Sequence, residues 1–304
     1  MLWLVSVASS MMAGTVSEET VEQTQPTAFM QQKQQQTIHL LTDTGIHPME
    51  LEEYVTGVLL CEMPTGFHME AKKAQAVAAR TFALRTSRQG VRHDVGVVCS
   101  EAACCQGYYS IEEYLHIGGT QEGVTQARQA AEETRGMVLT YEGALIESTY
   151  FSCSGGRTED AVAVWGMDVP YLQAVDSPGE EAAAYYTDTV RFSGSEFQKA
   201  LGARFSGTPT QWFGKVSYTD GKGVGTMEIG GEIYTGTQLR QLLQLRSSSF
   251  TVTALSDCVL ITTRGYGHRV GMSQYGAEAM ARSGSRWEEI LQHYYQGVSI
   301  TELQ

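Results

Sequence analysis

The chain has 304 residues, 42% of them hydrophobic and only 18% charged, with 32 glycines, so it can bury at least one full core in a loop-rich globular body. Its formal charge of −13 excludes the broad basic face that a nucleic-acid partner needs. The length also admits two domains.

Residues 2–13 form an apolar run rich in small side chains. It is shorter than the roughly 20 residues of a membrane-spanning helix, and it lacks the basic stretch that precedes a signal segment. Either this segment (1–14) is the tail of a signal-anchor that starts upstream, or it is a disordered or packed terminus. The segment 15–37 turns polar, with Gln23, Gln25, Gln31, Gln32, Gln34, Gln35 and Gln36. So few aliphatic side chains cannot offset the entropy of ordering, and the segment reads as a flexible tether. A globular body at 38–304 follows. This order suits a domain tethered to a membrane and working outside the cytoplasm.

Within the body, Leu51, Tyr54, Val55, Val58 and Leu59 recur at three- and four-residue steps and predict a helix over 48–60. Pro64 ends it, which leaves Glu62 in the turn just beyond. A second helix is expected over 70–87, where alanines permit close packing and Arg80 comes near that turn. A third runs over 124–134 and stops at Gly136. Strands at 137–141 and 144–151 flank Glu142-Gly143 as a hairpin. The stretch 171–262 reads as a β-rich subdomain, with strands near 215–219 and 250–254 and a short helix at 237–245. Helices at 275–282 and 287–296 close the chain. Helices and strands do not alternate regularly, so the fold class is α+β: helices packed on mixed β-sheet elements around a substrate cleft.

Four motifs appear in order. They are Glu62-Met63-Pro64 with Ala78-Ala79-Arg80-Thr81; Ser152-Cys153-Ser154-Gly155-Gly156 with Trp165-Gly166 and Pro170-Tyr171-Leu172; the stretch 243–250; and the glycine-rich run 264–277. Together they make the chain similar to the family of stage II sporulation protein D, from about residue 51 to the C-terminus. It departs from the family's pattern at Arg269, where a second glycine usually follows the histidine.

The resemblance implies a lytic transglycosylase that cuts peptidoglycan between N-acetylmuramic acid and N-acetylglucosamine, with Glu62 as its catalytic residue. One carboxylate suffices for that chemistry. A hydrolase typically needs a second carboxylate, whereas here the muramic acid's own C6 hydroxyl attacks and forms a 1,6-anhydro ring. Cys61, Met63 and Pro64 are expected to raise the Glu62 pKa toward the working pH.

The other assignments have competing readings. Arg80 is a substrate clamp or a structural arginine. The turn Ser154-Gly155-Gly156 is a tight turn, or a set of bare amides that approach the sugar chain. His268 is a structural loop histidine, or lines the cleft with Ser273, Gln274 and Tyr275, as the resemblance implies. Tyr266, Tyr275 and Trp165 stack on sugar rings or pack in the core.

His93, Cys99, Cys104 and Cys105 offer an imidazole and three thiolates, the donors of a structural zinc site, although the spacing is not that of a zinc finger. A disulfide from Cys99 to Cys104 or Cys105, or free buried thiols, are the alternatives. Cys61, Cys153 and Cys258 read as small core residues. No cofactor is required for the sugar chemistry itself.

The resemblance further implies peptidoglycan glycan strands as substrate, denuded by an amidase partner similar to stage II sporulation protein P during engulfment of the forespore. A non-catalytic glycan-binding enhancer of an amidase is the second reading. A zinc hydrolase acting on stem peptides is the third.

Overall fold

Apolar periodicity folds Leu51–Glu62 into the first helix, α1, and Glu62 is its last residue rather than part of the turn beyond it. The computed structural model describes residues 36–90 and 92–303. The expected apolar start and nearly all of the tether lie outside the described residues. Helix α1 is buried on almost every side, as a core helix is.

Helix α2, Met69–Gln89, starts at His68, whose side chain accepts the Glu70 N–H, and ends at left-handed Gly90. Its fully buried Ala71, Ala74, Ala76, Ala78, Ala79 and Ala83 leave room for neighbouring helices to approach. Among these are α1 and α4, Gln121–Glu133, which Thr120 caps. The intervening α3, Ile111–His116, opens on a capping box in which Ser110 and Glu113 satisfy each other's backbone N–H groups.

The expected hairpin is shorter than its sequence signal. Strand Met137–Tyr141 pairs with Ala144–Leu145 and, on its other side, with Ser299–Glu302. Tyr150–Phe151 instead leaves to pair in parallel with Met272–Ser273, which draws two distant motifs together. An unexpected sheet forms from Thr37–Thr42, paired antiparallel with Gly45–Glu50 and parallel with Val97–Cys99.

After helix α5, Ala161–Trp165, comes the β-rich stretch, which holds two three-stranded antiparallel sheets. One places Cys258–Arg264 between Phe250–Ala254 and Thr187–Ser193. The other is the meander Phe213–Tyr218, Val224–Ile229 and Glu232–Thr235. Helices α6, Gly194–Leu201, and α7, Gly236–Leu242, belong to the same stretch. Phe197, Trp212, Ile229, Leu239 and Ile261 form its own buried core, separate from the main one around α1 and α2. Helices α8, Gln274–Arg282, and α9, Trp287–Tyr294, close the main core. The architecture is α+β. No helix among the described residues is long and apolar enough to cross a membrane.

Candidate active site

A groove of ≈ 990 Å³ runs past the C-terminal end of α1, and Glu62, Gln106, Tyr150, Trp165, His268 and Gln274 are among its lining residues. The Glu62 carboxylate is held from two sides. Its Oε2 accepts the Gln274 amide at 3.2 Å, and its Oε1 accepts the Gly107 backbone N–H at 3.3 Å. Burial raises the Glu62 pKa above the usual carboxylate range, and these two hydrogen bonds only partly oppose the rise.

Position 107 must be glycine for this approach. A Cβ there would stand 2.7 Å from the Cys61 sulfur and 2.9 Å from Glu62 Oε1. Beside it Gln106 accepts from the Tyr54 hydroxyl at 3.2 Å and donates to the Tyr150 hydroxyl at 2.9 Å, which fixes both phenols near the acid.

His268 lines the same groove although it lies far from Glu62 in sequence. Both of its nitrogens are used inside the protein. Nε2–H donates to the Tyr150 carbonyl at 3.1 Å, and Nδ1 accepts the Val270 N–H at 3.1 Å. This pattern assigns the neutral tautomer. Burial first, then the Arg240 charge, push its pKa down to about 4. His268 therefore serves as a fixed wall against the rings of Phe151 and Trp165, and not as a proton shuttle.

Because the folded state resists protonating His268 while the unfolded chain does not, stability should fall as the pH drops from about 6.5 toward 4. His268→Gln is expected to flatten that part of the stability–pH curve, by on the order of 3 kcal/mol at its acid end. Thermal unfolding across this range checks it, and a variant as acid-sensitive as the wild type would contradict it.

Other expected site residues lie elsewhere. Arg80 does not reach the groove. It is fully buried and pairs with Glu52, and it also donates to the carbonyls of Ala131 and Met137 at 3.1 Å. The expected clamp is a tie between α1, α2 and the end of α4.

The Ser154 and Gly155 amides, expected to face a sugar chain, are spent on Glu180 Oε2 at 2.8 and 2.9 Å, and the Ser154 hydroxyl reaches the same oxygen. Gly155 and Gly156 line a second cavity instead. Ser273 is fully buried and caps α8 through the Gly276 N–H. Tyr275 packs edge-on to Phe67, with ring centroids 5.0 Å apart.

Arg269 keeps the left-handed backbone that a glycine would adopt, at φ 69°. Its buried guanidinium donates to the carbonyls of Ser154, Arg157 and Gly221 and pairs with Glu159. Those bonds offset a strain of about 1–3 kcal/mol.

The chain's relatives bear on this geometry. A family model described as Stage II sporulation protein matches residues 42–141. The chain is 38% identical over 270 residues to stage II sporulation protein D of Bacillus subtilis (strain 168), covering 87% of this chain and 78% of the relative. The same protein of Bacillus amyloliquefaciens matches with equal identity and coverage. The chain belongs to the stage II sporulation protein D family. It is also 29% identical over 299 residues to the amidase enhancer of Bacillus subtilis (strain 168), covering 81% of this chain and 40% of that relative.

In this member of the stage II sporulation protein D family, His93, Cys99, Cys104 and Cys105 converge, with their donor atoms all within 4.8 Å of one another. Ligands on a tetrahedral zinc with bonds of about 2.3 Å lie roughly 3.8 Å apart, so the set fits that ion. The three cysteines of the set are free of disulfides. Without a cation the thiols of Cys104 and Cys105 resist ionisation, and burial first pushes Cys105 up to about 12. A divalent ion would reverse that penalty. A tetrahedral ion held by all four would have no open position for a reacting water.

Three contributors escaped the reading of the sequence. Gln106 and Gly107 follow the cysteines directly and were in plain view as neighbours of a candidate site. Glu180, which organises the Ser-Gly-Gly turn of this family member, stands in no motif.

Proposed function

We propose that this sporulation-family protein is a peptidoglycan lytic transglycosylase in which Glu62 is the general acid and then the general base. The observation that carries this reading is one half-buried carboxylate with a raised pKa, held by Gln274 and Gly107 in a long groove. The other carboxylate that lines the groove, Glu147, is paired with both Arg85 and Arg92 and is unsuited to act as a base.

In the reaction, protonated Glu62 gives its proton to the glycosidic oxygen that leaves the muramic acid C1. The C6 hydroxyl of the same sugar bonds to C1 and releases its proton to the Glu62 carboxylate. No water enters, and the acid returns protonated for the next cycle. The raised pKa favours the protonated form of Glu62, and the rate should decline as the pH rises through that pKa. Gln274 and Gly107 orient the carboxyl, and His268 and Trp165 wall the bound strand.

The zinc centre fits the same reading as a support. When bound, the ion cross-links residues 93–105 and so fixes the loop that presents Gln106 and Gly107. Protein purified without added metal should hold about one zinc per chain, and removing the ion should lower the unfolding temperature. Elemental analysis that finds no metal, with a Cys99–Cys105 bridge in peptide maps, would contradict this.

The substrate proposed is the denuded glycan strand, supplied by an amidase partner similar to stage II sporulation protein P. The place proposed is outside the cytoplasm on the mother-cell membrane, facing the septal wall. The relative named amidase enhancer favours a second reading, a non-catalytic enhancer of such an amidase. Purified protein incubated alone with denuded strands separates the two. Release of soluble fragments supports the enzyme, whereas release that appears only when an amidase is added to intact wall supports the enhancer.

A further inference from the structure

A second cavity, of ≈ 530 Å³, lies beside the groove, and its lining contains Arg157, Lys222, Arg264 and Arg269 but no aspartate or glutamate. Four cations and no acidic residue in the lining stand out in a chain with 34 acidic and 21 basic residues, although Asp176, outside the lining, feels the Lys222 charge. Two of the four are committed: Arg269 to Glu159 and three carbonyls, and Arg157 to Asp176 and the Asp220 carbonyl. The side chains of Lys222 and Arg264 are exposed and, among the described residues, donate no hydrogen bond. Lys222 also holds a left-handed backbone at φ 61°, a conformation that disfavours any residue with a Cβ. The hydroxyls of Thr187, Ser249 and Thr251 belong to the same wall. A guanidinium fork and an ammonium in a concave wall of hydroxyl groups match a carboxylate.

The two cavities share their partition. Segment 152–156 places Ser152 on the groove and Gly155 and Gly156 on the second cavity. Segment 264–268 places Tyr266 and His268 on the groove and Arg264 on the second cavity. Backbone bonds between Cys153 and Tyr266 join the segments, 3.1 Å one way and 2.7 Å the other. A polymer that follows the groove therefore passes within a few residues of Arg264.

We propose that this cavity binds a carboxylate of the strand lying in the groove, with Arg264 and Lys222 as the recognising residues. The inference rests on the peptidoglycan reading of the groove but not on cleavage. Peptidoglycan offers the carboxylate from two sources. One is the lactyl group of muramic acid once its stem peptide has been removed, and the other is the free end of a stem peptide.

The test is calorimetric binding to the Glu62→Gln protein, which holds the strand without turnover. Three probes are used: glycan fragments without stem peptides, the same fragments with carboxyls reduced to alcohols, and fragments that keep their peptides. Adding Lys222→Gln and Arg264→Gln should weaken binding of a carboxylate-bearing probe about tenfold or more and flatten its salt dependence. The unfolding temperature should not change, because neither side chain supports the fold by a hydrogen bond. Reduced fragments should bind the Glu62→Gln protein as weakly as native fragments bind the triple variant. If the loss appears only with peptide-bearing fragments, the carboxylate is the peptide's and the assignment of the cavity stands. Equal affinities of parent and triple variant for every probe would overturn the cavity and leave the groove untouched. A parent that binds no probe would overturn the peptidoglycan reading and the cavity together.

Discussion

Glu62→Gln should abolish release of anhydro-muramic fragments while leaving the protein folded. Glutamine keeps the shape and one acceptor oxygen, so the groove should persist. It cannot donate and retake a proton, and the loss of general acid–base catalysis alone is worth about 10²–10⁴ in rate. The stability effect has a definite sign. Burial raises the folded-state pKa of Glu62 above its unfolded value, so the folded protein binds the proton more tightly. The Glu62 contribution to stability is therefore largest below the unfolded pKa, and it is lost as the pH rises toward the folded pKa. Above that window the native carboxylate is a burden that glutamine removes. Glu62→Gln should thus unfold at the same or a higher temperature than the wild type at neutral pH. A variant that keeps near wild-type cleavage would remove Glu62 from the mechanism. One that loses activity by unfolding would leave the role of the residue to Glu62→Ala and to binding measurements.

Arg80→Ala should cost about 3–5 kcal/mol of stability, the range seen when one partner of a buried ion pair is removed. The charge left behind is Glu52, only 5% exposed, whose remaining donor is the Gly136 N–H at 3.4 Å. The Met137 carbonyl also loses the Arg80 donor, and the Ala131 carbonyl keeps only the Thr134 hydroxyl at 3.4 Å. Arg80→Lys should rescue little, since an ammonium cannot reproduce the planar fork that serves Glu52 and the two carbonyls at once. The double replacement Arg80→Met with Glu52→Leu should recover most of the loss, because an apolar pair of similar volume avoids the desolvation cost. Chemical denaturation of the four proteins checks the series. A single variant with unchanged stability and a raised KM for glycan strands would return Arg80 to the role of substrate clamp.

Local signals reported local structure well. The apolar steps at Leu51, Tyr54, Val55, Val58 and Leu59 marked α1, and the alanines marked α2 as a helix that packs closely. Ser110 and Glu113 carried an equally local capping box that went unread because the helix behind it is only one and a half turns long. The strand Thr37–Thr42, which starts at the last residue of the expected tether, was not expected. Its alternating Ile38 and Leu40 are buried, yet the glutamines before them dominate the composition.

What the sequence does not contain is the partner of a side chain. Arg80 reads the same whether its guanidinium meets a sugar or Glu52, which sits 28 residues upstream and becomes visible only once α1 crosses α2. The Ser154 and Gly155 amides look free until Glu180, from an unmarked loop, takes both. Gln274 came with its motif, but its hydrogen bond to Glu62 joins residues 212 apart and depends on the pairing of Tyr150–Phe151 with Met272–Ser273.

The most direct test of the central claim is mass spectrometry of the products released from denuded glycan strands in ¹⁸O-labelled water. If Glu62 drives attack by the muramic acid's own C6 hydroxyl, the fragments end in a 1,6-anhydro ring and carry no label. Fragments with a reducing muramic acid end and one ¹⁸O at C1 would contradict it, because water would then be the nucleophile and the protein a hydrolase.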